Sequence, residues 1–192
     1  MSRGHCILSH GFESGPEATK VTALAEVAER LGWTHERPDY TDLDARRDIS
    51  SLGDVVARLE RLRSLAHAAA SRGPVVLAGS SLGAYIAGRI SLEVPVRGLF
   101  LMAPPITMGP LPELDAAAVP VSIIHGWDDE LIPAQAVTDW AHARRARRPV
   151  VRLLLLGAGP GRAGPGLRYR ARAGSETWRL VQRFVQRLVR CH

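Results

Sequence analysis

The chain has 192 residues, of which 46% are hydrophobic and 23% charged, a length and core content that suit one α/β domain. Its net charge of +6 is unevenly spread: residues 144–192 hold thirteen arginines against Glu176 alone, a net of +12, so the remainder carries −6. No run of about eighteen apolar residues and no charged-then-apolar leader is present, which predicts a cytoplasmic protein without a membrane span.

The first predicted strand, Cys6-Ile7-Leu8-Ser9, ends in His10-Gly11 and is followed by Phe12-Glu13-Ser14-Gly15-Pro16. A helix opens near Pro16, carries Val21, Leu24, Ala25, Ala28 and Leu31 at helical spacing, and ends by Gly32. Residues 33–38 read as a short edge strand and 39–48 as an acidic, irregular stretch. Residues 50–71 read as a long helix presenting Leu52, Val55, Val56, Leu59, Leu62 and Leu65, which Gly73-Pro74 then ends. Cys6 and Cys191 make no disulfide framework and read as inert thiols.

The next apolar run, Val75-Val76-Leu77-Ala78, drives into Gly79-Ser80-Ser81-Leu82-Gly83, and a helix-compatible 82–90 follows. Strand, sharp turn and helix in that order are what a G-x-S-x-G nucleophile turn requires, because the turn strains the serine backbone and exposes its hydroxyl at the sheet edge. Ser81 is therefore the candidate nucleophile. Glycine at 79 and 83 relieves the crowding where strand and helix cross.

A strand over 98–102 leads through Ala103-Pro104-Pro105 into a proline-rich loop, 104–120, where Ile106, Met108 and Leu111 are candidates to wall an acyl pocket. A strand over 121–125 runs into His125-Gly126-Trp127-Asp128-Asp129-Glu130-Leu131-Ile132-Pro133; a helix over 133–147 and a last strand over 150–156 follow. Taken alone, Asp128, Asp129 and Glu130 read as a solvated acidic turn before a helix N-terminus. The alternation of strand and helix predicts a three-layer α/β sandwich, a mostly parallel sheet of about six strands with helices on both faces. Its short connections leave no room for a large cap domain.

The N-terminal His-Gly strand end, the serine turn and the acidic loop, in this chain order, resemble the α/β-hydrolase superfamily in the form of small lidless bacterial serine esterases. The resemblance covers residues 4 to about 156. It implies that the loop after the first strand donates one oxyanion-hole N–H, falling on Phe12, that Leu82 donates the other, and that His10 orders the loop. Counting back from Pro133 puts the acid on Asp129, with Asp128 as the alternative. The implied activity is cleavage of a small-molecule acyl ester or thioester through an acyl-enzyme on Ser81, of carboxylesterase type. No His/Cys/Asp cluster has ligand spacing, so no metal and no organic cofactor is expected.

The resemblance fails at the base. The family carries its histidine on the loop after the last strand, and here 157–166 contains none, with Pro160 standing at about its place. Beyond Asp129 only His142, on a predicted helix face with Asp139 and Arg145, and the terminal His192 remain. A second reading follows: a catalytically impaired hydrolase scaffold whose arginine-rich C-terminal part binds an anionic partner. Arg144-Arg145, Arg147-Arg148, Arg162, Arg168, Arg170 and Arg172 supply the charge, and Tyr169 is the single aromatic among them. Such a run reads first as solvated surface and only second as a nucleic-acid site. The chain is taken as one domain, 1–192, with 157–192 an atypical basic segment whose last helix carries Trp178, Leu180, Val181, Phe184, Val185, Leu188 and Val189 on one face. Oligomeric state is not legible.

Overall fold

Apolar runs with little polar alternation form strands that can be buried on both faces, as a parallel sheet covered by helices demands. The computed structural model describes residues 3–146 and 150–157. Its strands are β1 (His5–Ser9), β2 (Thr34–Glu36), β3 (Val75–Ser80), β4 (Gly98–Met102), β5 (Val121–Gly126) and β6 (Val151–Leu156). They make one sheet in the order β2-β1-β3-β4-β5-β6, with every pairing parallel. The helices are α1 (Thr19–Arg30), α2 (Thr41–Asp44), α3 (Val55–Ala70), α4 (Leu82–Ser91) and α5 (Ala134–Arg145).

The period of two along each strand sorts its side chains into two cores. Ile7, Leu77, Leu99, Leu101, Val121 and Ile123 pack with α3, α4 and α5 on one face. Cys6, Leu8, Val76, Ala78, Phe100 and Ile124 pack with α1 on the other. Burial also pushes the Cys6 thiol up to about 12, which fits an inert thiol.

Two elements differ from the sequence reading. The irregular 39–48 stretch contains the one-turn α2. The helix expected from residue 50 starts at Val55, because Asp54 caps it by accepting the Ala57 N–H at 2.9 Å and Ser50–Gly53 form the preceding turn. Its buried stripe is Val55, Arg58, Leu62, Ala66 and Ala69, whereas Val56 is 64% exposed. The chain crosses from β4 to β5 through an extended loop over 103–120 that tucks Ile106, Leu114 and Ala116 into the core. The expectations placed on Arg147, Arg148, Pro160, Arg162, Arg168, Tyr169, Arg170, Arg172, Cys191, His192 and the last helix lie outside the described residues.

Candidate active site

Strand order fixes where a site can form. After β1 the chain steps outward to β2, then returns past β1 to place β3 on its other side. Neighbouring strands thus send their chains in opposite directions at the C-terminal ends of β1 and β3, which opens a crevice there. His10-Gly11 leaves one strand and Ser81 leaves the other.

Ser81 has φ 52° and ψ −121°, a left-handed backbone that a non-glycine residue holds only at a cost. The surroundings hold it there: its N–H donates to the Met102 carbonyl at 2.9 Å, and its own carbonyl accepts from Ala84 and Tyr85. A β-carbon on Gly79 would lie 2.2 Å from the Gly83 carbonyl oxygen, and one on Gly83 would lie 2.2 Å from the Ser9 carbonyl oxygen. Backbone therefore packs directly on backbone at the turn. Leu82 opens α4, so its N–H is among the first-turn amides that lack an intrahelical acceptor.

The loop after β1 runs beside the serine, since a β-carbon on Gly11 would stand 3.6 Å from Ser81 Cβ. The Phe12 ring is half-buried with the Arg47 guanidinium 4.4 Å above it. His10 is fully buried and engages both ring nitrogens. Nδ1 donates to the Gly11 carbonyl at 2.7 Å, and Nε2 accepts the Tyr40 N–H at 2.9 Å. The backbone donor at Nε2 fixes the neutral tautomer. Burial, aided by the Arg58 charge, lowers its affinity for a second proton. A ring so occupied orders the loop.

The acidic loop separates the two aspartates. Asp129 is half-buried, and its Oδ1 accepts the Leu131 and Ile132 N–H groups, both at 3.0 Å. His125 Nε2 donates to the Ile132 carbonyl at 2.8 Å and closes the turn from the strand side. Asp128 is exposed. Lys20, near the start of α1, was not singled out in the sequence; burial lowers its pKa, and the Asp129 carboxylate pulls it back up. The Lys20 ammonium thus lies in the field of the Asp129 carboxylate.

The remaining expectations fall as follows. Ile106 is buried in the core, while Met108 and Leu111 are half-buried in a tight turn where the Leu111 N–H meets the Met108 carbonyl at 3.0 Å. His142 is exposed on α5. Arg144 is buried, contrary to its place in the presumed anionic-partner cluster. It donates to the Ala116 carbonyl at 2.8 Å and to the Ala117 carbonyl, and its guanidinium lies 4.8 Å over the Trp140 ring. Among the described residues, no three His, Cys, Asp or Glu side chains gather to hold a metal ion. No described helix is long and apolar enough to cross a membrane.

A search of solved structures finds a protein from Xanthomonas campestris pv. campestris assigned as a hydrolase of the α/β superfamily. It is 61% identical, with a TM-score of 0.84, over 97% of this chain and 98% of that one. The chain belongs to the α/β-hydrolase superfamily. The chain also shares its fold with an α/β serine hydrolase homologue from Coxiella burnetii (24% identity, TM-score 0.62, 82% of this chain and 76% of that one). It shares it too with a lidless α/β serine hydrolase from Xanthomonas campestris (22%, 0.57, 79% and 71%). Neither family models nor curated proteins return a match to the chain.

Proposed function

We propose that the protein cleaves small acyl esters or thioesters through an acyl-enzyme on Ser81. The observation that carries this reading is the left-handed Ser81 at a strand–helix junction, with the Gly11 loop lying against its β-carbon. Ser81 Oγ attacks the acyl carbon as its proton passes to solvent water, and the carbonyl oxygen gains the charge. The Phe12 and Leu82 amides hold that oxyanion. The acyl–oxygen or acyl–sulfur bond then breaks, the leaving group takes a proton back from solvent water, and water hydrolyses the acyl-serine by the reverse steps. Asp129, anchored by two amides, is the acid of the site. Met108 and Leu111 are candidates to wall the acyl side.

The described histidines supply no base. His10 has both nitrogens engaged, His125 uses Nε2 on Ile132, His142 is exposed on α5, His67 is exposed in the last turn of α3, and His5 and His35 pair with Glu36 and Glu29 near the opposite end of the strands. On the described residues alone, turnover relies on the oxyanion hole and substrate binding, which sustain about 10³–10⁴-fold over water when a triad member is missing. Intact-mass analysis after treatment with a fluorophosphonate tests the reading. One adduct per wild-type chain and none on Ser81→Ala is expected; a folded wild-type protein that stays unlabelled sinks it.

A specific observation keeps the second reading in view: residues 157–192 hold eight arginines against Glu176 alone, a net of +7. In that reading the scaffold is impaired and the segment 157–192 binds an anionic partner. Retention on heparin that collapses steeply between 50 and 200 mM salt is its expected signature.

A further inference from the structure

Arg58 interrupts the apolar stripe of α3 and is fully buried. Its Nη1 donates to the His10 carbonyl at 3.3 Å. Its Nη2 donates to the Gly11 carbonyl at 3.4 Å and to Asp44 Oδ2 at 2.6 Å. The Gly11 carbonyl takes a second bond from His10 Nδ1, and Asp44 Oδ2 also accepts the Glu13 N–H at 3.1 Å. The Tyr40 ring lies 4.7 Å below the guanidinium. An apolar side chain of similar volume in place of such a pair is often neutral or stabilising, so stability alone gives no reason for a charge here.

Peptide geometry shows what these bonds do. A trans peptide is planar, with its C=O and N–H pointing in opposite directions, and the described chain has no cis bond. The Gly11 carbonyl and the Phe12 N–H belong to one such plane, so the donors that pin the carbonyl also set the line along which the Phe12 N–H points. The Phe12 carbonyl and the Glu13 N–H form the next plane, and Asp44 holds it. Both peptides flanking Phe12 are thus tied to one ion pair, just where Glu13 turns the chain with φ 53°. A charged donor on a carbonyl also polarises its peptide and strengthens the N–H at the other end.

We propose that the buried Arg58–Asp44 pair, with His10, positions and polarises the Phe12 amide as an oxyanion donor. The inference rests on Phe12 serving the oxyanion hole in the function proposed above. Arg58 and Asp44 are positioning residues and touch no substrate.

Arg58→Lys keeps a cation but loses the fork, and Asp44→Asn keeps the size but loses the charge that holds the guanidinium. For each full-length variant, the Phe12 amide resonance, the phosphonylation rate of Ser81 and the melting temperature are measured beside Ile90→Ala, a core change in the last turn of α4, at the end away from Ser81. Folded Arg58→Lys is expected to shift the Phe12 amide proton upfield. It should slow phosphonylation by about 10- to 100-fold at unchanged probe affinity, while Ile90→Ala moves only the melting temperature. If Arg58→Lys does not fold, Asp44→Asn carries the same comparison. A folded variant with wild-type Phe12 resonance and wild-type rate overturns the proposal. A wild-type protein that is never phosphonylated overturns the hydrolase reading instead, and the Phe12 shift then decides alone whether the clamp exists.

Discussion

Single side chains at this site are fixed by contacts that leave little freedom, and that makes their substitution effects calculable. The two glycines beside Ser81 meet backbone, which cannot rotate away, at 2.2 Å from any added β-carbon. Gly79→Ala and Gly83→Ala should each cost about 1–3 kcal/mol, the usual range for overpacking, read as a lower urea midpoint. His10 gives a pH signature. Its folded pKa lies below the ordinary 6.5 because burial disfavours the imidazolium, so the unfolded chain binds more protons just below that value. Its contribution to stability is complete above pH 6.5 and is lost as pH falls. The wild-type urea midpoint should therefore drop between pH 7 and 5 more than that of His10→Gln; equal slopes would mean His10 is not the group responsible. At the acidic loop, Asp129→Ala removes the acceptor of two amides and should cost about 1 kcal/mol. Asp128→Ala, exposed, should stay within about 0.5 kcal/mol in the same titration.

The elements show what periodicity conveys and what it hides. Strand runs such as Val75–Ser80 and Val121–Gly126 were legible because a strand buried on both faces needs an unbroken apolar sequence. The elbow was legible because glycine, serine and glycine each meet a separate steric demand. The start of α3 was not, since Leu52 continues the helical spacing while the cap that overrides it is a single aspartate, Asp54. Arg58 sits in phase with Val55 and Leu62, and a charge in phase with an apolar stripe was the available signal for the loop clamp. Its partner Asp44 lies in a stretch that looks merely acidic, and only tertiary packing selects it. Arg144 repeats the lesson on α5: from sequence it joins a basic run, yet its guanidinium satisfies the carbonyls of 116 and 117. Arg144→Ala should destabilise by about 1–3 kcal/mol by leaving those carbonyls without their donor. A loss below that range in a urea titration would mean that water replaces it.

For the whole molecule, the candidate site draws on three strand ends, those of β1, β3 and β5, and each was named from a local motif. The pair that positions Phe12 and the lysine in the field of Asp129 escaped, because they come from helices packed against the site and leave no motif of their own. Assembly of the site has a kinetic consequence. Ser81 acquires its neighbours only when β3 docks beside β1, in a register that joins His5 to Val75 and Ser9 to Gly79, positions about seventy apart in the chain. Contacts of such separation form late and slowly, because a long loop must close before they stabilise anything. During refolding from urea, helical signal should return first and competence for phosphonylation after it, so a serine probe applied at intervals would time the moment when the two halves of the sheet meet.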